Sequence, residues 1–309
     1  MAWRERLLHL GATATAVANA RRVRIAAQLL LLAGLVFVLL RLRSIWRDSH
    51  VDLSHVGWAS AVGAVLLAAC AMAASAFIWL AILRQLGAPT HARWVGVFFQ
   101  AQLGKYIPGS VWQYAGRTAL ARAHQIPVRP VAISLPVEFV GSMAGAAVLS
   151  LLVFGWWGAI ALPVVLLAIA LVLRLRSDSS GRGARRVALR TTSLYIAAWP
   201  LTGISFWLIG RALFAAPLRD MAVYIGAFAA AWAVGVIAVY APGGLGVREA
   251  VLVAILRGRI GSADALVLAA ASRVVLAFVD VVLAGSGALL LRRSVGRPPS
   301  DAALIPPSN

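Results

Sequence analysis

Continuous apolar runs constrain this chain more than anything else in it. Residues 25–42, 56–83, 131–153, 194–214, 221–240 and 263–291 are long stretches of Ala, Leu, Val, Ile and aromatic residues. They reach or approach the roughly 20 residues a helix needs to cross a bilayer. A membrane β-barrel would alternate apolar and polar residues, and these runs do not. Of 309 residues, 61% are apolar, against about 45–50% in a soluble domain. The expected class is all-α: a polytopic helical membrane protein with six to eight crossings.

Two stretches interrupt the pattern in the same way. Gly104-Lys105-Tyr106-Ile107-Pro108-Gly109 and Val239-Tyr240-Ala241-Pro242-Gly243-Gly244-Leu245-Gly246 each place Tyr-x-Pro-Gly at the end of an apolar run. Proline lacks a backbone donor and glycine tolerates positive φ, so both stretches should break a helix. A helix broken at membrane depth persists only where protein or a water-filled cavity satisfies the freed backbone groups. Pro108, Gly109, Pro242, Gly243, Gly244 and Gly246 are the expected break residues. A pair of interrupted segments in corresponding halves points to a transport site.

Spacing extends the correspondence. Glu138 follows Pro108 by 30 positions, and Arg273 follows Pro242 by 31. Each half reads as span, break, short helix and a span with a buried charge. The expected organisation is a cytoplasmic tail (1–24) and a transmembrane domain (25–291). Within the domain lie repeat one (56–153), a basic linker (174–190) and repeat two (194–291). A disordered tail (292–309) follows. Arginine-rich loops mark the cytoplasmic side. With the N-terminus, 84–93, 122–130, 174–190 and the C-tail placed there, both breaks become re-entrant and the repeats inverted. The run 221–240 is long enough to span, and eight crossings is the competing count.

The formal charge is +19. Its excess is arginine at run ends, where it sets topology and meets anionic lipid. No soluble segment is long enough to serve as a nucleic-acid face. The single cysteine, Cys70, reads as a small buried hydrophobe. The five histidines show no metal-ligand spacing and no catalytic set, so neither an enzyme nor a metal or cofactor is expected. Trp94, Trp112, Trp156, Trp157 and Trp199 lie near run ends and read as interfacial anchors.

Charges inside the spans are the candidate chemistry. Glu138, Arg273 and Asp280 each cost about 2.5–3.5 kcal/mol at a helix centre on the insertion scale, so they should face inward and pair. Glu138 with Arg273 is the expected pair, as equivalents about a pseudo-two-fold; a purely structural staple is the alternative. Lys105 is the chain's one lysine, and a compact ammonium binds phosphate as a point charge. Gly243-Gly244-Leu245-Gly246 precedes a short helix at Val247, whose free N–H groups favour an anion; a plain turn is the alternative. Arg248 adds positive charge there. Glu249 could accept the same dipole or pair with Arg117.

Lys105-Tyr106-x-Pro108-Gly109-x-Val111-Trp112 with Gly116-Arg117, and Pro242-Gly243-Gly244-Leu245-Gly246-Val247-Arg248-Glu249, resemble the lysylphosphatidylglycerol synthase transmembrane-domain family. This family is also called flippase-like, or UPF0104. The resemblance covers roughly 25–291. It implies movement of a lipid between leaflets of the cytoplasmic membrane, without the soluble aminoacyl-transferase domain of the fused members. The expected function is translocation of an anionic phospholipid or a polyprenyl-phosphate-linked lipid. Lys105, Tyr106, Arg117 and Arg248 would contact the headgroup, together with Glu138, Glu249, Arg273 and Asp280. The alternative is a membrane accessory subunit or scaffold, with a glycosyltransferase or lipid-modifying enzyme as partner.

Overall fold

The computed structural model describes residues 53–107, 112–154, 182–238, 244 and 246–295. The expected span 25–42, the run 159–173, the N-terminal tail and residues 296–309 lie outside the described residues; 292–295, expected to be disordered, are instead the last turn of the final helix. So do Pro108, Gly109, Pro242 and Gly243. Among the described residues all regular structure is helical. In chain order the helices are α1 (Trp58–Gln85), α2 (Val95–Gln102), α3 (Trp112–Ala123), α4 (Val128–Ser150), α5 (Arg182–Phe214), α6 (Met221–Ile237), α7 (Val247–Ile260) and α8 (Ser262–Val295). Five of these segments are long and apolar enough to cross a membrane: 58–85, 128–154, 186–214, 218–237 and 262–292. The second half of the expected linker is helical: α5 begins at Arg182 and runs unbroken through Pro200.

The three remaining helices are too short to span. At about 1.5 Å per residue, the eight residues of α2 reach ~12 Å and the twelve of α3 ~18 Å, against a core of ~30 Å. After α2 the chain tightens into a 3₁₀ turn, Leu103–Tyr106, and leaves it extended at Ile107 (φ −84°, ψ 132°). That conformation is what a residue before proline adopts, since the ring excludes the helical region. The chain then reverses: a Cβ on Gly104 would sit 2.6 Å from the backbone N of Gln113. The second break also folds back, with Gly244 (φ +68°) against the backbone of Gly235 in α6. Left-handed Gly244 and Gly246 (φ +80°) carry the chain into α7.

The long helices pack as an interlocked set. α1 and α5 run antiparallel: Gly57 N–H donates to Ala212 O (3.0 Å), and Ser205 Oγ donates to Ala64 O (2.7 Å). α4 lies along α5, where Gly141 and Gly145 admit Thr191 and Trp199, and reaches α6. α8 lies along α2 through the close Gly96–Gly287 approach and also packs on α7. Glycine at these crossings lets backbones meet, which is how helices associate where lipid supplies no hydrophobic drive.

Large apolar side chains point away from the bundle, among them Leu66, Phe77, Val140, Val274 and Phe278. In water such a surface would be an aggregation liability; against acyl chains it is matched. Cys70 lies on this outward side of α1, not in the core as its apolar surroundings suggested. Trp94 and Trp199 are buried instead of interfacial. Trp199 donates Nε1–H to Ser142 O (3.0 Å) and packs on Trp232 and Phe228. Its one polar atom found an internal acceptor, so it needed no headgroup region.

Two glycines test this packing. A Cβ on Gly226 would meet Val153 N at 2.5 Å, while one on Gly285 meets nothing. G226A is expected to lower the melting temperature in detergent, by about 1–3 kcal/mol of stability as overpacked cores do. G285A should leave it unchanged or raise it slightly. Equal melting of the two variants would contradict the contact of α6 with the 3₁₀ turn Leu151–Phe154 that follows α4.

Candidate functional site

The buried charges gather around the two breaks, but not in the expected pairs. Glu138 on α4 accepts from Arg117 on α3, with Nη1 2.5 Å from Oε2. Arg273 on α8 bonds Glu249 on α7 through its Nε, and its Nη2 donates to Gly244 O at 3.3 Å. The expected Glu138–Arg273 pair is therefore absent. Arg117 does not meet Glu249 either. The reason is local connectivity. Residues 124–127 alone separate α3 from α4, and Gly261 alone separates α7 from α8. Helices joined so tightly are neighbours first, and their inward charges meet before any cross-half partner can.

Arg117 is among the most enclosed side chains, with 1% exposure. Its guanidinium lies 4.2 Å from the centroid of Phe98 and 5.5 Å from that of Trp79. The stacking and the carboxylate together offset part of the cost of burying a cation. Trp79 is itself fixed by Nε1–H donation to Ser134 Oγ (3.0 Å). The second pair is more open: side-chain exposure is 29% for Arg273 and 17% for Glu249, against 1% and 12% in the first.

A third pair was not foreseen. Asp280, buried on α8, accepts from Lys105 Nζ at 2.6 Å and from Tyr106 Oη at 2.5 Å. These partners come from the 3₁₀ turn of the first break. No spacing in the sequence links positions 174 and 175 residues apart, and only the fold joins them. The lone lysine thus faces a carboxylate at its own site. Glu249 has two roles at the second break: besides Arg273 it accepts from Gly246 N–H (2.7 Å), capping the start of α7. That N–H is occupied by a resident carboxylate, so the glycine-rich turn is not by itself a vacant anion cradle.

One helix touches both breaks. Arg273 and Asp280 are seven residues apart on α8, hence on one stripe and separated by about 10 Å. They flank Ala277, the middle of the 262–292 segment. Two turns further along the same stripe, Gly287 meets Gly96 of α2. No protein-family model, curated protein or solved structure matches the chain.

Arg248 stands apart from the pairs. Its guanidinium lies 5.2 Å from the centroid of Phe228, and its Nε is sealed from solvent without an acceptor. No carboxylate lies within ion-pair distance of it among the described residues. Among the described residues no group of three His, Cys, Asp or Glu side chains is close enough to hold a metal ion.

The difference in enclosure sets an expected order of stability. E138A strands a sealed guanidinium and should cost about 3–5 kcal/mol, as broken buried pairs do. E249A, in the wetter pair, should cost clearly less. R117L/E138L should recover much of the E138A loss. Thermal melting of the four proteins in one detergent reads this order, and a reversed order would overturn the burial argument.

Proposed function

We propose that this protein moves an anionic lipid, a phospholipid or a polyprenyl-phosphate-linked one, between the leaflets of a cytoplasmic membrane. The observation that carries the reading is that both interrupted segments are tied to the middle of α8, through Asp280 for the first and Arg273 for the second. Charge gathered at the centre of a span is costly and marks pathways. A headgroup passing there would meet Lys105, Tyr106, Arg117, Arg248 and Arg273. Glu138, Glu249 and Asp280 would hold those cations apart, and the acyl chains would stay in lipid.

The reading includes two inverted repeats, α1–α4 and α5–α8, with both breaks re-entrant. Supporting it, each close helix pair has a counterpart when α1 is exchanged with α5, α2 with α6, α3 with α7 and α4 with α8. The α4–α6 contact corresponds to α8–α2, α4–α5 to α8–α1, and α2–α3 to α6–α7. The self-corresponding pair α1–α5 is antiparallel, as a two-fold axis lying in the membrane plane requires. The ion pairs correspond with their signs exchanged: arginine on α3 with glutamate on α4, glutamate on α7 with arginine on α8. Rocking of one repeat against the other would alternate access. This arrangement also accords with the resemblance to the lysylphosphatidylglycerol synthase transmembrane-domain family.

A second reading has an observation of its own. The Arg117–Glu138 pair is almost fully enclosed, as a staple in a membrane scaffold for a glycosyltransferase or lipid-modifying enzyme would be. Leaflet exchange separates the two. Reconstituted vesicles carrying a fluorescent anionic phospholipid should show exchange that R273A abolishes while the variant still folds. Exchange at the protein-free rate with wild-type protein, or at the wild-type rate with R273A, would favour the scaffold. Mass spectrometry of lipid co-purifying in mild detergent names the cargo.

A further inference from the structure

Around the two breaks the cations and carboxylates of the described residues do not balance. Lys105 is matched by Asp280, Arg117 by Glu138 and Arg273 by Glu249. Arg248 is left over, so among the described residues the charges gathered at the two breaks carry one positive charge in excess; the other buried carboxylate, Asp264, lies at the start of α8 with a contact of its own. Three groups lie close enough to influence it electrostatically: Arg273, Glu249 and Tyr106. Glu249 is already engaged by Arg273 and Gly246 N–H, and Tyr106 donates its proton to Asp280.

Packing holds Arg248 firmly from behind. A Cβ on Gly235 would overlap Arg248 Cγ, and one on Gly244 would sit 3.2 Å from its Cδ. The stem thus lies in a notch between two glycines, and Phe228 covers the guanidinium. A buried charged donor left unsatisfied is destabilising unless something completes it. A half-buried side chain held along its length and given no protein acceptor at its head, among the described residues, is arranged to meet a ligand.

We propose that Arg248 is the receptor for one singly charged phosphodiester of a lipid headgroup. A monoanion neutralises the single excess charge, and the guanidinium fork matches two phosphate oxygens. A dianionic head would leave a net negative charge at the same depth, so the three closed pairs act as a filter on ligand charge. The proposal rests on the lipid-translocation reading and names its headgroup class.

The test is lipid-induced thermal stabilisation of the whole protein in detergent, with short-chain phosphatidylglycerol as probe. Wild-type protein should melt higher with phosphatidylglycerol than with phosphatidylcholine at equal concentration. Inorganic phosphate should give no shift in that range, which identifies a lipid source. R248Q should melt as high as wild type or higher without lipid, because it removes an orphaned charge. Its phosphatidylglycerol shift should need at least about tenfold more lipid. R248K keeps the charge without the fork and should fall between; it carries the test if R248Q does not fold. A lower melting point of lipid-free R248Q with an undiminished lipid shift would assign Arg248 to structure and overturn the proposal. So would a stronger shift from phosphatidic acid above its second ionisation, or an equal shift from inorganic phosphate. Lipid binding that depends on Arg248 without leaflet exchange would instead overturn only the transport reading.

Discussion

Low dielectric makes every isolated charge in the middle of a membrane expensive, and this structure is arranged around that cost. Its inward charges are not spread along the spans. They sit where helices are interrupted, so that one set of polar contacts serves both the ionised side chains and the backbone groups that the interruption frees. Asp280 shows the economy: one carboxylate accepts from Lys105 and Tyr106 and so secures the 3₁₀ turn before the first break. Glu249 does the same at the second, capping α7 and holding Arg273.

Glycine allows that arrangement to form. The helices that bring charges to the breaks approach at Gly96–Gly287, at Gly141 and Gly145 against α5, and at Gly104 against the start of α3. Each removes the side chain that would otherwise keep two backbones apart. The charges therefore depend on the small residues for their geometry, while the small residues gain little without the charges to fix register.

Much of the fold was legible in the sequence because hydropathy and proline are local signals. The run 56–83 became α1 at 58–85, and 263–291 became α8 at 262–295. The short helix expected after the first break appeared at 112–123. The pairings were harder to read. Glu138 was matched with Arg273 on a symmetry argument, whereas the short turn between α3 and α4 gave Arg117 the nearer claim. Lys105 with Asp280 could not be read at all, since no periodicity connects residues so distant in the chain. Trp199 sat where an anchor would, yet an internal carbonyl of Ser142 took its N–H. Arg248 was recognised as positive charge near a helix start; that it lacks a carboxylate among the described residues, unlike the other cations at the breaks, is a property of the assembled interior.

The position of Arg273 and Asp280 two turns apart on α8 has a mechanical meaning. Over so short a length an α-helix behaves as a stiff rod, so the two anchorage points keep a constant spacing. Tilting or sliding that rod displaces both corners at once, by amounts set by leverage about its pivot. The two interrupted segments are thereby linked to each other through α8, and neither tether can shift on its own without breaking.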